Sequence, residues 1–436
     1  MSIGFITPEE KKKEIPFETP RGRSDLTCLG IDAVYPAHDE MINGNELVIG
    51  STGAGKTMSV CLPRILHTWD SSLVIPIVKR KVFELCAPVL KERGYEIWDL
   101  NLAHPEKTSM GYDPCFSIKT EDDMMSLANQ IIGASSKTML GEADPYWAQS
   151  SAGMIAALIM LAKYRGKLSF LKIRDLYRGL DVRYTNGHCR TSLSEDFARM
   201  NIDDPDLQAP KLWDAIEGNA SKTAACILSM VHNAMGRLCG DYGDSLFRRK
   251  KMVNLKGLGS RKIALFITTN LVSEPCQKIN SILYSDLFKQ LFDAAEEQGG
   301  TLPVPVHIIA DDFTCSSRIE GFADYISVFR AAGISVTLLL QSLSQLESLY
   351  GPFEASTIRN NCDSWVFLGS MDMDTCREMG ERANLPANEV LSMPVGEVIV
   401  SRRGVGTVKT QRYPIMQDEI YQQMISLHDK AAGREA

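Results

Sequence analysis

The chain has 436 residues, 44% hydrophobic and 23% charged, the composition of a folded globular protein of two or three domains and not of a disordered or fibrous one. Its formal net charge of −7 excludes a uniformly basic nucleic-acid binder, so any polyanion would have to be held by a local basic surface. Eleven scattered cysteines without a CxxC pair exclude a zinc ribbon or a secreted disulfide framework, and fit small core residues in a reducing cytosol.

The first thirty residues read as a polar arm with no signal-peptide core. Strand and helix patterns then alternate. Glu46–Gly50 is a short apolar strand followed by a glycine loop and a helical run to about Trp69; Ser72–Ile77 and Tyr95–Asp99 are further strands around a helix over Val82–Arg93. Such alternation predicts an α/β domain with a parallel sheet covered on both faces. From 114 to 241 strand patterns fade and helical spacing takes over, which predicts an inserted all-α domain. Its most apolar stretch, Ala152–Ala162, is too short to span a bilayer and reads as a buried helix. Strands resume at Lys262–Thr269, Val304–Asp311, Ile334–Leu340, Ser364–Gly369 and Gly396–Ser401, with helices predicted over Gln277–Glu297 and Phe322–Ala332.

The clearest chemistry lies in Gly50, Ser51, Thr52, Gly53, Ala54, Gly55, Lys56 and Thr57, which fit the pattern GxxxxGK followed by Ser or Thr. The segment follows a predicted strand and opens a predicted helix, the context in which this pattern wraps phosphate. Glycines let successive N–H groups point inward, and the helix adds its positive N-terminal end. Lys56 would supply charge to the β- and γ-phosphates of ATP, and the Thr57 hydroxyl a ligand to Mg2+. Asp311 and Asp312 end the apolar run VHIIA; carboxylates at a strand's C-terminal end can lie beside the loop, Asp311 on a magnesium-bound water and Asp312 on the attacking water. Gln341, just past ISVTLLL, is a candidate for sensing the γ-phosphate or placing water. Arg318, Arg330 and Arg359 are candidates for an arginine finger across a subunit boundary, with Arg330 the first choice. Arg248–Lys251 is the densest basic run, and a solvated charged loop is its simpler reading.

Taken together these segments resemble the type IV secretion coupling proteins, the TraG-like conjugal transfer ATPases. ISVTLLLQSLSQLESLYG with TIRNNCDSWVFLGSMD, LPVPVHIIADDF, and DPYW at Asp144–Trp147 carry the likeness, which runs from about Glu46 to Ile415. The resemblance implies a RecA-like P-loop NTPase domain over 31–113 and 242–436 with a central, mostly parallel sheet. It also implies an inserted all-α substrate-recognition domain over 114–241, and an arm over 1–30. It further implies a ring-forming homo-oligomer, expected as a hexamer, that hydrolyses ATP with Mg2+. Its expected partners are single-stranded DNA, a relaxase or accessory protein, and the channel components of a type IV secretion system. Three departures stand out. Relatives carry N-terminal transmembrane helices where this chain shows none, so it looks like a soluble cytoplasmic variant recruited to the membrane by a separate anchor protein, or a chain missing its anchor. Relatives carry Asp-Pro-Lys-Gly-Glu where this chain has Ile77-Val-Lys-Arg-Lys81, and Asp-Glu where it has Asp311-Asp312. Two alternatives stay open: a nucleotide-dependent receptor for protein substrates with little hydrolysis, and a double-stranded DNA translocase.

Overall fold

The structure is a computed structural model that describes residues 25–39, 41–133, 145–166, 168–185, 188–311, 313 and 318–431. Strands β1 (Leu26–Gly30) and β2 (Ala33–Pro36) form an antiparallel hairpin. The main sheet uses β3 (Glu46–Ile49), β4 (Ser72–Ile77) and β5 (Glu96–Asn101); β6 (Val182–Thr185) and β7 (His188–Thr191) form a second hairpin within the helical region. The sheet is completed by β8 (Ile263–Thr268), β9 (Val306–Ala310), β10 (Ile334–Leu340), β11 (Ser364–Phe367), β12 (Glu397–Arg402) and β13 (Gly406–Gln411). Its nine strands run in the order β13-β12-β11-β3-β10-β9-β4-β8-β5. From β11 to β5 every pairing is parallel, while β12 and β13 return antiparallel at one edge. This is the α/β, RecA-like sheet expected.

Strands buried on both faces read as continuous apolar runs, and β4, β8, β9 and β10 are buried at every residue. Side chains alternate between faces. Leu47 and Ile49 of β3 therefore join the core beneath the helical region, and Val48 joins the core beneath the helix that follows the glycine loop. That helix begins as a π-turn over Thr57–Cys61 and continues as α1 (Leu62–Leu66). Pro63 has no N–H to donate to an ordinary α-turn, and the Leu62 N–H reaches back to Thr57 O instead. Helix α2 (Lys81–Glu92) joins β4 to β5.

The helical region contains α3 (Glu121–Gly133), α4 (Pro145–Tyr164), α5 (Phe170–Arg178), α6 (Ser194–Asp203), α7 (Gln208–Glu217), α8 (Ser221–Leu238) and α9 (Asp241–Phe247). Helix α4 is buried without interruption from Ser151 to Ala162, as expected of a helix apolar on all sides and enclosed by others. Asp144, at the head of the DPYW segment, lies outside the described residues; Tyr146 and Trp147 open α4 with their rings edge to face at 5.4 Å. The chain returns to the sheet through α10 (Glu274–Glu297), α11 (Phe322–Ala332), α12 (Leu343–Asn360), α13 (Met373–Ala383), α14 (Ala387–Leu391) and α15 (Glu419–Ala431).

The predicted arm is corrected at its last five residues. Leu26–Gly30 is strand β1, because Cys28 and Leu29 are buried against the core beneath α1. Residues 1–24 lie outside the described ones. Every described cysteine is free, and only Cys226 is exposed. Among the described residues no helix is long and apolar enough to cross a membrane.

Candidate functional site

The glycine loop leaves the C-terminal end of β3 at the centre of the sheet, flanked by β10 and β11. Leu340 and Phe367 are both in register with Ile49. The Gly50 N–H donates to Leu340 O at 3.0 Å and the Ser51 N–H to Gly369 O at 2.8 Å, so both neighbouring strands hold the loop's entry. Gly53 and Gly55 take φ values of +79° and +83°, a conformation costly for residues with a Cβ. Gly55, Lys56 and Thr57 then fall at the start of a helix, where N–H groups have no intrahelical acceptor. Such a concavity of unpaired amides accepts anions.

Lys56 is only 7% exposed. Its ammonium folds back on the loop, donating to Gly50 O at 2.6 Å and Ser51 O at 3.5 Å. The Thr57 hydroxyl donates to the Asp311 carboxylate at 3.2 Å, across 254 positions of sequence. Asp311 follows β9, two strands from β3, and the turn of the chain brings its side chain over the start of the helix. A hydroxyl and a carboxylate facing each other beside unpaired amides form a donor set suited to Mg2+ on a triphosphate. Asp312 lies outside the described residues.

Gln341 follows Leu340 directly, so it stands beside the loop; its backbone carbonyl accepts from the Ser370 hydroxyl at 3.4 Å and its Oε1 from Gln345 at 3.5 Å. Just beyond it, α12 and α13 are latched at their N-termini. Leu343 N–H donates to the Thr375 hydroxyl at 2.9 Å, and Ser344 donates to Asp372 at 2.9 Å. Burial would raise the Asp372 carboxyl, but hydrogen bonds from Thr375 and Ser344 outweigh it and hold the group below its ordinary range. The latch fixes the two segments on which Gln341 and Gly369 reach the loop, and nothing in the spacing of the sequence pointed to it.

Of the arginine candidates, Arg318 is paired with Glu354 at 2.6 Å and Arg359 with Glu347 at 3.3 Å. Arg330 is exposed in the last turn of α11, before β10 begins. The seven residues of β10 separate it from the loop by roughly 20 Å of strand. It cannot reach the loop of its own chain.

The basic run is largely engaged within the chain. Arg249 donates to Pro105 O at 3.0 Å and Glu106 O at 2.6 Å, Arg248 faces Asp244 at 3.6 Å, and Lys251 faces Glu96 at 3.9 Å. Arg249 thus ties the loop after β5 to the end of α9. Arg249→Ala is expected to lower the unfolding free energy by about 1–2 kcal/mol and Lys250→Ala by less than about 0.5 kcal/mol, measured by urea unfolding. Arg80 is likewise occupied, held to Asp99 at 2.6 and 3.0 Å and stacked over Phe83.

A glycine loop that leaves a central parallel strand and meets an acidic residue from a second strand defines the P-loop class of RecA-like α/β folds. The family described as type IV secretory system conjugative DNA transfer matches residues 40–384, and the chain belongs to that family. It is 21% identical over 346 residues to Protein VirD4 of Agrobacterium fabrum and, over the same length, to Protein VirD4 of Rhizobium rhizogenes. These alignments cover 77% of this chain and 49% of each relative, so the chain spans about half the length of the curated relatives it matches. Among solved structures, the conjugative coupling protein TrwBΔN70 in unbound form aligns with a TM-score of 0.60 at 17% identity, over 85% of this chain and 84% of that one. TrwB in complex with the ATP analogue ADPNP aligns at 0.61, 17% identity and 85% of each chain. VirB4 of Thermoanaerobacter pseudethanolicus aligns at 0.55 and 12% identity, over 92% and 98%. At these identities the likeness to solved structures is one of fold.

Proposed function

We propose that the chain is the ATP-hydrolysing motor of a conjugative type IV secretion system, receiving a relaxase-bound single-stranded DNA and passing it to the membrane channel. The observation that carries this reading is the Thr57–Asp311 contact, which unites the glycine loop with the tip of β9. Residues 50–57 would wrap the triphosphate, with Lys56 on the β- and γ-phosphates and Thr57 and Asp311 on Mg2+. Bound Mg2+ would neutralise charge on the terminal phosphates. Asp312 would orient the attacking water and Gln341 would report the γ-phosphate. The TrwB forms solved with ADPNP and with ADP and Mg2+ support the nucleotide assignment. Arg330 would act only in a neighbouring copy's site, which fits a closed head-to-tail ring, hexameric in our reading. Attachment to the inner face of the cell membrane would come through a partner protein.

ATP turnover stimulated by single-stranded DNA, with Lys56→Ala as the control, tests the reading. Stimulation by duplex alone would favour a double-stranded DNA translocase. The shortened acidic side chain at position 312 favours a second reading, a receptor platform with slow hydrolysis. Asp312→Asn is expected to keep nucleotide affinity and to lose about a hundredfold or more of turnover in single-turnover phosphate release. Cleavage at the native rate in that variant would assign the water to another residue.

A further inference from the structure

The outer wall of the glycine loop is formed by a side chain from the far end of the sequence. A Cβ built on Gly55 would stand 2.9 Å from the Arg412 Nη1 and 3.5 Å from the Ser59 hydroxyl, so the guanidinium lies directly on the Gly55 α-carbon. Strand β13 runs antiparallel to β12, which itself runs antiparallel to β11, and Gln411 pairs with Glu397 at the end of the sheet where the loop lies. Arg412 is the next residue, and its N–H donates to Gly396 O at 2.9 Å.

Its backbone is further pinned to the helix that the loop opens. The Tyr413 hydroxyl donates to Asp418 at 2.7 Å and meets His67, just past α1, at 3.3 Å; His67 in turn contacts Asp418 at 2.6 Å. Against this fixed backbone, the guanidinium is poorly satisfied. Its Nε is buried without a hydrogen-bond partner, its Nη2 reaches only Leu368 O at 3.5 Å, and it forms no ion pair among the described residues. Burial disfavours its charge. A half-buried guanidinium without a carboxylate partner among the described residues, at the edge of an anion-binding loop, gains from phosphate oxygens, which match its planar fork.

We propose that Arg412 is a nucleotide-binding residue acting within its own subunit, engaging the α- and β-phosphate oxygens common to nucleoside di- and triphosphates. The glycine loop cradles those phosphates, while the lysine extends to the β- and γ-phosphates. Arg412 therefore differs in kind from a finger offered by a neighbouring copy, which senses the γ-phosphate. Its charge secures the diphosphate before and after cleavage.

This inference rests on the nucleotide site described above, and direct binding separates the two. ADP and ATP are titrated with Mg2+ by calorimetry against the wild-type chain, Arg412→Gln and Arg412→Lys, with thermal unfolding of each nucleotide-free protein. Wild-type protein that binds neither nucleotide overturns the site itself. If wild type binds, Arg412→Gln is expected to raise the Kd for ADP and for ATP in parallel, by about ten- to a hundredfold, the scale of one charge-assisted contact. Unchanged Kd values, or a loss confined to ATP, overturn the assignment of Arg412. Should Arg412→Gln fail to fold, Arg412→Lys decides. A smaller parallel loss supports the proposal, because lysine lacks the fork, and wild-type affinity for both nucleotides refutes it.

Discussion

Replacing Lys56 with alanine is expected to lower ATP turnover by about a thousandfold while leaving the fold intact, the scale seen when a preorganised donor to developing charge is removed. Among the described residues the lysine's hydrogen bonds go to its own loop, to Gly50 O and Ser51 O. Gly50 and Ser51 are independently held by Leu340 O and Gly369 O, so the loop's entry survives without the lysine. What is lost is a buried positive charge positioned among amides with no acceptor of their own. Those amides still offer partial charge, so residual nucleotide affinity is expected. The chemical step, where charge shifts on the terminal phosphates, should lose most. Phosphate release at saturating Mg–ATP, with thermal unfolding measured alongside, checks both halves. Turnover at the wild-type rate would place the chemistry elsewhere in the molecule.

The parts of the site legible in the sequence are those whose pattern is local. Residues 50–57 announce themselves by spacing, and Asp311 by ending an apolar run, because strands buried on both faces carry unbroken apolar sequence. For the same reason β4 and β10 could be delimited to the residue, Ser72–Ile77 and Ile334–Leu340. Strand β13 carries no such pattern: it is a largely exposed edge with the sequence GTVKTQ, and only Thr410 within it is buried. Arg412 is illegible for the same reason, since its position is set by two antiparallel returns of the chain and by no spacing near the loop. The hairpin β6–β7 is similarly short and polar, VRYT and HCRT, and gives no alternation strong enough to separate it from its helical surroundings. The π-turn after the loop required knowing which carbonyl Leu62 finds when Pro63 follows it. Arg330 shows the opposite limit. As a finger across a subunit boundary it belongs to a neighbouring copy's site, and a single chain fixes only that β10 runs from it toward the loop, leaving it at the far end of the strand.

Asp25→Ala is expected to destabilise the folded protein by about 3–5 kcal/mol at neutral pH, the cost of leaving several buried donors without their acceptor. Asp25 is 3% exposed and joins the β1–β2 hairpin to the turn between α1 and β4. One carboxylate oxygen accepts the N–H groups of Trp69, at 2.5 Å, and Asp70, at 2.8 Å; the other accepts from the Ser71 hydroxyl and faces His38 Nε2 at 2.9 Å. Burial would push this carboxyl up, but the contacts with His38, Ser71, Asp70 and Trp69 outweigh it and hold the group far below the ordinary carboxylate range. With the folded value depressed, the unfolded chain binds the proton first, at about pH 4. The stabilisation from the ionised group is therefore complete above about pH 4 and declines as the pH falls toward the depressed folded value. Urea unfolding of wild type and Asp25→Asn should diverge at pH 7 and converge below about pH 4, since asparagine keeps the shape but cannot ionise. A difference that stays constant across that range would mean that Asp25 acts through shape and neutral hydrogen bonds, without a contribution from its charge.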